Sequence, residues 1–262
     1  MVSPKLIAKI ESEEPTLRLA VLIDADNEQA PVIGGLLAEV ARFGEATVKR
    51  IYGDFTAPTS SLWKKVLHKY SIKPVQQFAY TTGKNATDST LIIDAMDLLY
   101  TRKFDGFCLV SSDSDFTGLA IRLREEGLTV LGFGARSTPE AFKYACHNFI
   151  FTEVLQPAVI GQGTSPQEDS SDKSDSIIST DSKLAFPKKF VIDALEQSSD
   201  DEGWANLGTF GSYLTKLQPD FDSRLYGYKK LSHLVKSMTD IFITEERASN
   251  DKNQKVLYVK AK

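Results

Sequence analysis

The feature that most constrains the fold is the alternation, between residues 17 and 151, of short apolar runs with helical patterns. Runs at 17–23, 46–52, 73–79, 106–110, 128–133 and 149–151 are rich in Val, Ile, Leu and Phe and read as strands. The intervening segments 29–43, 59–70, 86–101, 115–126 and 138–145 carry apolar residues at helical spacing. Strands that alternate with helices are joined by crossovers, so they pair mostly in parallel, with helices on both faces of the sheet. The expected class is α/β. In such sheets ligands bind past the carboxyl ends of the strands, in the crevice where strand order reverses.

Carboxylates fall on that edge. Asp24 ends the run Leu19 to Ile23, Asp54 follows the second strand, and Asp113 and Asp115 follow Phe107 to Val110 through Ser111-Ser112. Asp88 opens the helical segment after Gly83-Lys84-Asn85. Leu91, Ile92, Ala95 and Leu99 lie at i+3, i+4, i+7 and i+11 from Asp88, which puts it at the start of the buried stripe. Asp94 and Asp97 then project from the opposite side as a solvated face. Each acid also has a bland reading: Asp88 as a helix cap, Asp115 as an N-cap and Asp113 as a turn residue. Taken together, four carboxylates aimed at one pocket repel each other unless a cation joins them. An all-oxygen cluster suits Mg²⁺ or Mn²⁺ better than zinc, which points to a metal-dependent enzyme acting on phosphates. The Asp24-x-Asp26 spacing also fits a phosphatase with an aspartate nucleophile, but Asn27 stands where such enzymes carry Thr or Val, and Asp88 would be idle.

Composition narrows the partners less than the motifs do. The chain has 262 residues, 42% of them hydrophobic, and a net charge of −4, so it does not coat nucleic acid by charge alone. No apolar run approaches a membrane span and no signal peptide is visible near Met1. Cys108 and Cys146 lack metal-knuckle spacing and read as two reduced, buried thiols. The expected location is cytoplasmic. His68, His147 and His233 lie outside the acidic motifs and read as surface or packing residues. Residues 164–183 are serine-rich, acidic and free of aromatics, within a stretch (156–183) expected to be a flexible linker. It separates domains at 16–155 and 184–262.

The second body shows helical patterns at 188–198 and 207–217, a helix over Tyr226 to Met238, and β-rich runs at 241–245 and 256–260 around a polar turn. Three helices and a hairpin make a small winged helix. Leu231, Leu234 and Val235 belong to its core.

The segments IDADN, GKNATDSTLIIDAMDLL and LVSSDSDFTGLAIRLREEGLTVLGFG together resemble the NYN domain, the LabA-like group of PIN-like nucleases, over about residues 16–155. The resemblance implies a PIN-like parallel sheet with an acidic pocket, and a ribonuclease, endonucleolytic in expectation, that hydrolyses RNA phosphodiesters with Mg²⁺ or Mn²⁺. It matches Asp24, Asp88, Asp113 and Asp115 to the family's acidic, metal-holding positions and Asn27 to its polar companion. Lys84 holds a motif position from which it would meet a phosphate; Arg50 and Arg136 are further basic candidates. Tyr52 and Phe55 flank Gly53-Asp54, where a ring would stack a base or pack in the core.

GWANLGTFGSYL and FDSRLYGYKKLSHLVKS resemble the OST-HTH or LOTUS domain. That resemblance implies RNA binding and, in one subgroup, docking of a DEAD-box helicase. Lys229, Lys230 and Lys236 are the phosphate-contacting candidates, with Tyr226 and Tyr228 as exposed stacking rings. A parallel sheet with exposed edges is also compatible with a homodimer. The rival from another class is a non-catalytic RNA-binding adaptor whose acidic pocket is structural.

Overall fold

The computed structural model describes residues 16–27, 29–56, 61–78, 86–155, 185–248 and 255–262. The chain divides into two compact units. The stretch expected as a linker, 156–183, and the phosphate candidate Lys84 lie outside the described residues.

In the first unit six strands form one sheet: β1 (Leu17–Asp24), β2 (Gly44–Gly53), β3 (Lys73–Gln76), β4 (Gly106–Val110), β5 (Thr129–Gly134) and β6 (Asn148–Phe151). Their order is β3-β2-β1-β4-β5-β6, and every neighbouring pair is parallel. The connecting helices are α1 (Ile33–Val40), α2 (Ser61–Tyr70), α3 (Ala86–Tyr100), α4 (Thr117–Glu125) and α5 (Glu140–Ala145). The α/β class expected from the alternation is borne out. Leu19 to Ile23 are 0% exposed, as a central parallel strand covered on both faces requires.

Alternation assigns the two faces. Leu19, Val21 and Ile23 share one core cluster with Ile51, Cys108, Val110 and Leu131 of neighbouring strands and with Ile33, Leu36 and Val40 of α1. Trp63, Val66 and Leu67 of α2 pack against it. Ala20, Leu22, Phe107 and Leu109 therefore point to the other face, where α3 meets β1 and β2 and buries Leu91, Ala95, Leu98 and Leu99. On the same face, Phe142 of α5 stacks edge-on against Phe149 of β6 at 5.9 Å. Both cysteines are buried and free, and burial pushes the Cys146 thiol up to about 12. Strand order reverses between β1 and β4: from β1 the chain runs outward through β2 and β3, then returns to β4 on the other side of β1. The carboxyl ends of these two strands bound the crevice.

Some element bounds differ from expectation. The strand read over 73–79 ends at Gln76, although the Gln77 amide still donates to the Gly53 carbonyl at 3.0 Å. The segment 29–43 opens with a 3₁₀ turn, Ala30–Val32, which has Pro31 inside it, before the shorter α1. Proline has no amide for a following helical bond but suits a first turn.

The second unit holds α6 (Lys188–Ser198), β7 (Trp204–Asn206), α7 (Leu207–Leu217), α8 (Leu231–Ser237), β8 (Phe242–Ala248) and β9 (Lys255–Ala261). Its antiparallel sheet has the order β7-β9-β8. Val191, Leu195, Phe210, Leu214, Leu234, Val235, Phe242 and Val259 fill one core. Three helices and a hairpin match the winged-helix expectation; β7 is an additional strand. The helix expected over Tyr226–Met238 is shorter. Ser223–Tyr226 is a 3₁₀ turn, Gly227 turns the chain in the left-handed region (φ 88°), and α8 begins only at Leu231. Lys229 and Lys230 therefore precede the helix rather than ride on it. Tyr226 and Tyr228 pack against the core, Tyr226 edge-on to Phe186 at 5.3 Å, which corrects their reading as exposed stacking rings.

A Cβ added at Gly132, in β5, would sit 2.5 Å from the Phe149 ring and 2.6 Å from the Cys146 sulfur. Gly132→Ala should lower the stability of the first unit by about 1–3 kcal/mol through overpacking. Urea unfolding checks this, with an unchanged midpoint as the contrary result.

Candidate active site

The site grows from the pairing of β1 with β4. Ile23 lies opposite Val110 in register, so the next residue on each strand, Asp24 and Ser111, emerge side by side at the carboxyl edge. The Ser111 hydroxyl donates to Asp24 Oδ2 at 2.9 Å. Asn27 Nδ2 donates to the same oxygen at 2.6 Å, and the Asp26 amide donates to Oδ1 at 3.0 Å. Asp24 is 0% exposed. Its burial raises its proton affinity, while the bonds from Asn27, Ser111 and Asp26 pull in the other direction. Both Asp24 oxygens thus accept hydrogen bonds from the chain itself.

The loop after β4 is shaped by the same serines. Ser111 Oγ accepts the Asp113 amide at 3.1 Å, and Asp113 Oδ1 caps the following 3₁₀ turn by accepting the Asp115 amide at 2.9 Å. Ser112 Oγ accepts the Ala135 amide at 2.8 Å, which ties the loop to the end of β5. Asp113 and Asp115 are held on one short turn as a result. Asp88 enters from the first turn of α3.

Asp88, Asp113 and Asp115 each offer one carboxylate oxygen, and these oxygens lie within 4.8 Å of one another. Asp88 is pushed up to about 6, first by burial and then by the negative charges of Asp24, Asp113, Asp115 and Asp26. The structure therefore brings three of the four expected carboxylates into ligating range of one point. The fourth, Asp24, is hydrogen-bonded at the base of the crevice and acts on Asp88 through its charge. Asn27 orients Asp24. Asp54 stays apart: it bonds Thr56 and Gln76, which hold its carboxyl below the usual range.

One reading of the helix face and one of β2 are corrected. Asp94 is not part of a solvated face, because it accepts from both the Arg50 guanidinium and the Tyr52 hydroxyl. Tyr52 is fully buried, and this three-residue link fastens α3 to β2, the strand beside β1. Arg50 is accordingly paired with a carboxylate rather than offered to a phosphate. Ser111 was not singled out as an orienter of Asp24; the signal was available in the register of two apolar runs that each end at the same edge. In the second unit, Lys236 pairs with Glu246 at 2.8 Å, whereas Lys229 and Lys230 are exposed.

Comparison with known proteins agrees with this architecture. The family model of the NYN domain matches residues 18–155, and that of the OST-HTH/LOTUS domain matches residues 182–254. No curated protein matches the chain. Among solved structures, an uncharacterized protein from Nitrosomonas europaea is 62% identical over 37% of this chain and 92% of its own, with a TM-score of 0.32. A protein of unknown function from Vibrio parahaemolyticus is 17% identical over 53% of this chain and 95% of its own (TM-score 0.46). A Chromobacterium violaceum protein is 29% identical over 30% of this chain and 83% of its own (TM-score 0.25). The assignment rests on the family models together with the parallel sheet and its acidic edge: the chain belongs to the NYN-domain family, a nuclease-type hydrolase family, and carries an OST-HTH/LOTUS domain after it.

Proposed function

We propose that the protein is a divalent-metal-dependent ribonuclease that hydrolyses RNA phosphodiesters endonucleolytically, with a C-terminal module that holds the RNA. The observation that carries this reading is the convergence of Asp88, Asp113 and Asp115 within 4.8 Å at the carboxyl edge of a parallel sheet. Three carboxylates this close, with Asp24 nearby, carry a repulsion that a hard cation relieves, and their all-oxygen donor set suits Mg²⁺ or Mn²⁺. The residues present therefore fit the ion. Bound there, it would supply Lewis acidity, activating a water and neutralising charge that develops on the phosphate.

The chain's own residues do the rest. Asp88, at a helix start, and Asp113 and Asp115, on a strand-end turn, would hold the ion. Asp24 adds negative charge beneath them and, through Asn27 and Ser111, fixes the loops that present them. The Arg50–Asp94–Tyr52 link holds α3 against the sheet, so Asp88 does not drift from the pair opposite. Lys84, Lys229 and Lys230 are the proposed phosphate contacts, with Lys236 available only if its pairing with Glu246 opens. The tether between domains raises the local RNA concentration at the acidic edge. A helicase partner, a homodimer and a cytoplasmic location belong to the same proposal; among the described residues no helix is long and apolar enough to cross a membrane.

Two measurements test it. With a 5′-labelled structured RNA, wild-type protein should make internal cuts in Mg²⁺ or Mn²⁺ and none in EDTA. Asp113→Asn should cut about a hundredfold more slowly or worse while still binding the RNA. Equal cutting by both, or binding without cutting in any metal, would favour the adaptor reading.

The second measurement uses the raised proton affinity of Asp88. A carboxyl raised from 3.8 to about 6 in the folded state contributes stability below its unfolded value and loses it as pH rises through about 6. In EDTA, Asp88→Asn should therefore melt about 2–4 °C above wild type at pH 7.5, and the gap should narrow as pH falls towards 5. Saturating Mn²⁺ should raise the wild type more than the variant. A variant that melts lower than wild type in EDTA would contradict the clustering.

A further inference from the structure

The outward face of the C-terminal sheet is built differently from what the fold needs. Ala205, Phe242 and Val259 fill the core from the inward face. Alternation turns Trp204 and Asn206 of β7, Val256, Tyr258 and Lys260 of β9, and Ile243, Glu245 and Arg247 of β8 the other way. Register places Trp204 beside Lys260, Lys260 beside Ile243, and Tyr258 between Asn206 and Glu245. Outward positions of a one-sided antiparallel sheet are ordinarily polar. Here they carry two large aromatic rings, and Ile243 is 42% exposed.

The cations on this face lie over the rings. The Arg247 guanidinium is 4.5 Å from the Tyr258 ring centre and 4.9 Å from that of Trp204, and the Lys260 ammonium is 5.9 Å from the Trp204 ring. Lys260 also donates to the Glu202 carbonyl at 2.7 Å. Gly203, just before Trp204, turns the chain in the left-handed region (φ 80°). The carboxylates that share the area are Glu245, 3.3 Å from Arg247, and Asp200, whose Oδ1 already accepts the Trp204 and Glu202 amides. The result is a cluster of two rings and two cations, with Glu245 and Asp200 beside it.

We infer that this sheet face, rather than the lysines before α8, is the main RNA contact of the domain, and that it takes single-stranded RNA. The inference rests on the RNA-binding reading above and deepens it. Unpaired bases present ring faces that stack on Trp204, Tyr258 and the Arg247 plane, while the adjoining phosphates meet Arg247 and Lys260. In a duplex those base faces are occupied by their neighbours, so a face that binds by stacking selects single strands. The charge complementarity is local, which fits a domain whose cations and carboxylates nearly balance.

The test uses the full-length chain in EDTA, so that no cutting intervenes, with a fluorescein-labelled 12-nucleotide oligouridylate. Arg247→Ala with Lys260→Ala should weaken binding about tenfold or more, and by several times more than Lys229→Ala with Lys230→Ala does. A stem-loop in which every base of the stem is paired should bind more weakly than the oligouridylate. In a Trp63→Phe background the remaining tryptophan, Trp204, should be quenched as RNA is added, a readout that needs no surface variant to fold. Loss of binding in the Lys229/Lys230 pair but not in the Arg247/Lys260 pair, without quenching of Trp204, would overturn this face while keeping the RNA-binding reading. RNA affinity indifferent to all four substitutions would likewise overturn this face. Wild-type protein that binds no RNA would overturn both.

Discussion

The candidate site depends on the parallel pairing of β1 with β4. These strands are neighbours in space but are separated in sequence by two other strands and their helices, and their ladder brings Asp24 and Ser111 to the same level. One hydroxyl then serves two ends: Ser111 Oγ donates to Asp24 and accepts from the Asp113 amide. A buried carboxylate is costly unless its oxygens are satisfied, and here the bonds that satisfy it also shape the turn that presents Asp113 and Asp115. Stability of the buried acid and placement of the exposed ones are a single arrangement.

That arrangement is electrostatically unfavourable by itself. Burial, and after it the negative charges of Asp24, Asp113, Asp115 and Asp26, raise the proton affinity of Asp88. The fold offsets this from behind, through the apolar stripe of α3 on β1 and β2 and through the Arg50–Asp94–Tyr52 link, which spans two elements. A site kept under repulsion in this way gains most from an added cation, which is the physical link between the fold and the proposed chemistry.

Much of this was legible in the residues, and the remainder was hidden for identifiable reasons. Apolar runs marked β1, β4 and β5 because central parallel strands are buried on both faces and cannot be polar. Asp24, Asp113 and Asp115 were legible from their place at strand ends, and Asp88 from its place on a stripe. Asp94 was misread because a helical wheel sees only its own helix; its partners Arg50 and Tyr52 come from a strand more than forty residues earlier in the chain. β7 is three residues long, too short for any period to register. The helix at Tyr226–Met238 was overextended because Gly227 sits among residues whose apolar spacing looks helical, and only its left-handed φ reveals the break. The aromatic face of the C-terminal sheet was hidden too, since Trp204, Arg247 and Tyr258 meet only once the sheet is assembled.

The central claim is that Asp88, Asp113 and Asp115 form one cation site. Mn²⁺ titration of the RNA-free protein, followed by electron paramagnetic resonance, tests it most directly. The account predicts saturable Mn²⁺ binding by the wild type, weakened about tenfold or more by Asp88→Asn and by Asp113→Asn alike. Binding that is unchanged in either variant, or no Mn²⁺ binding by the wild type, would contradict it.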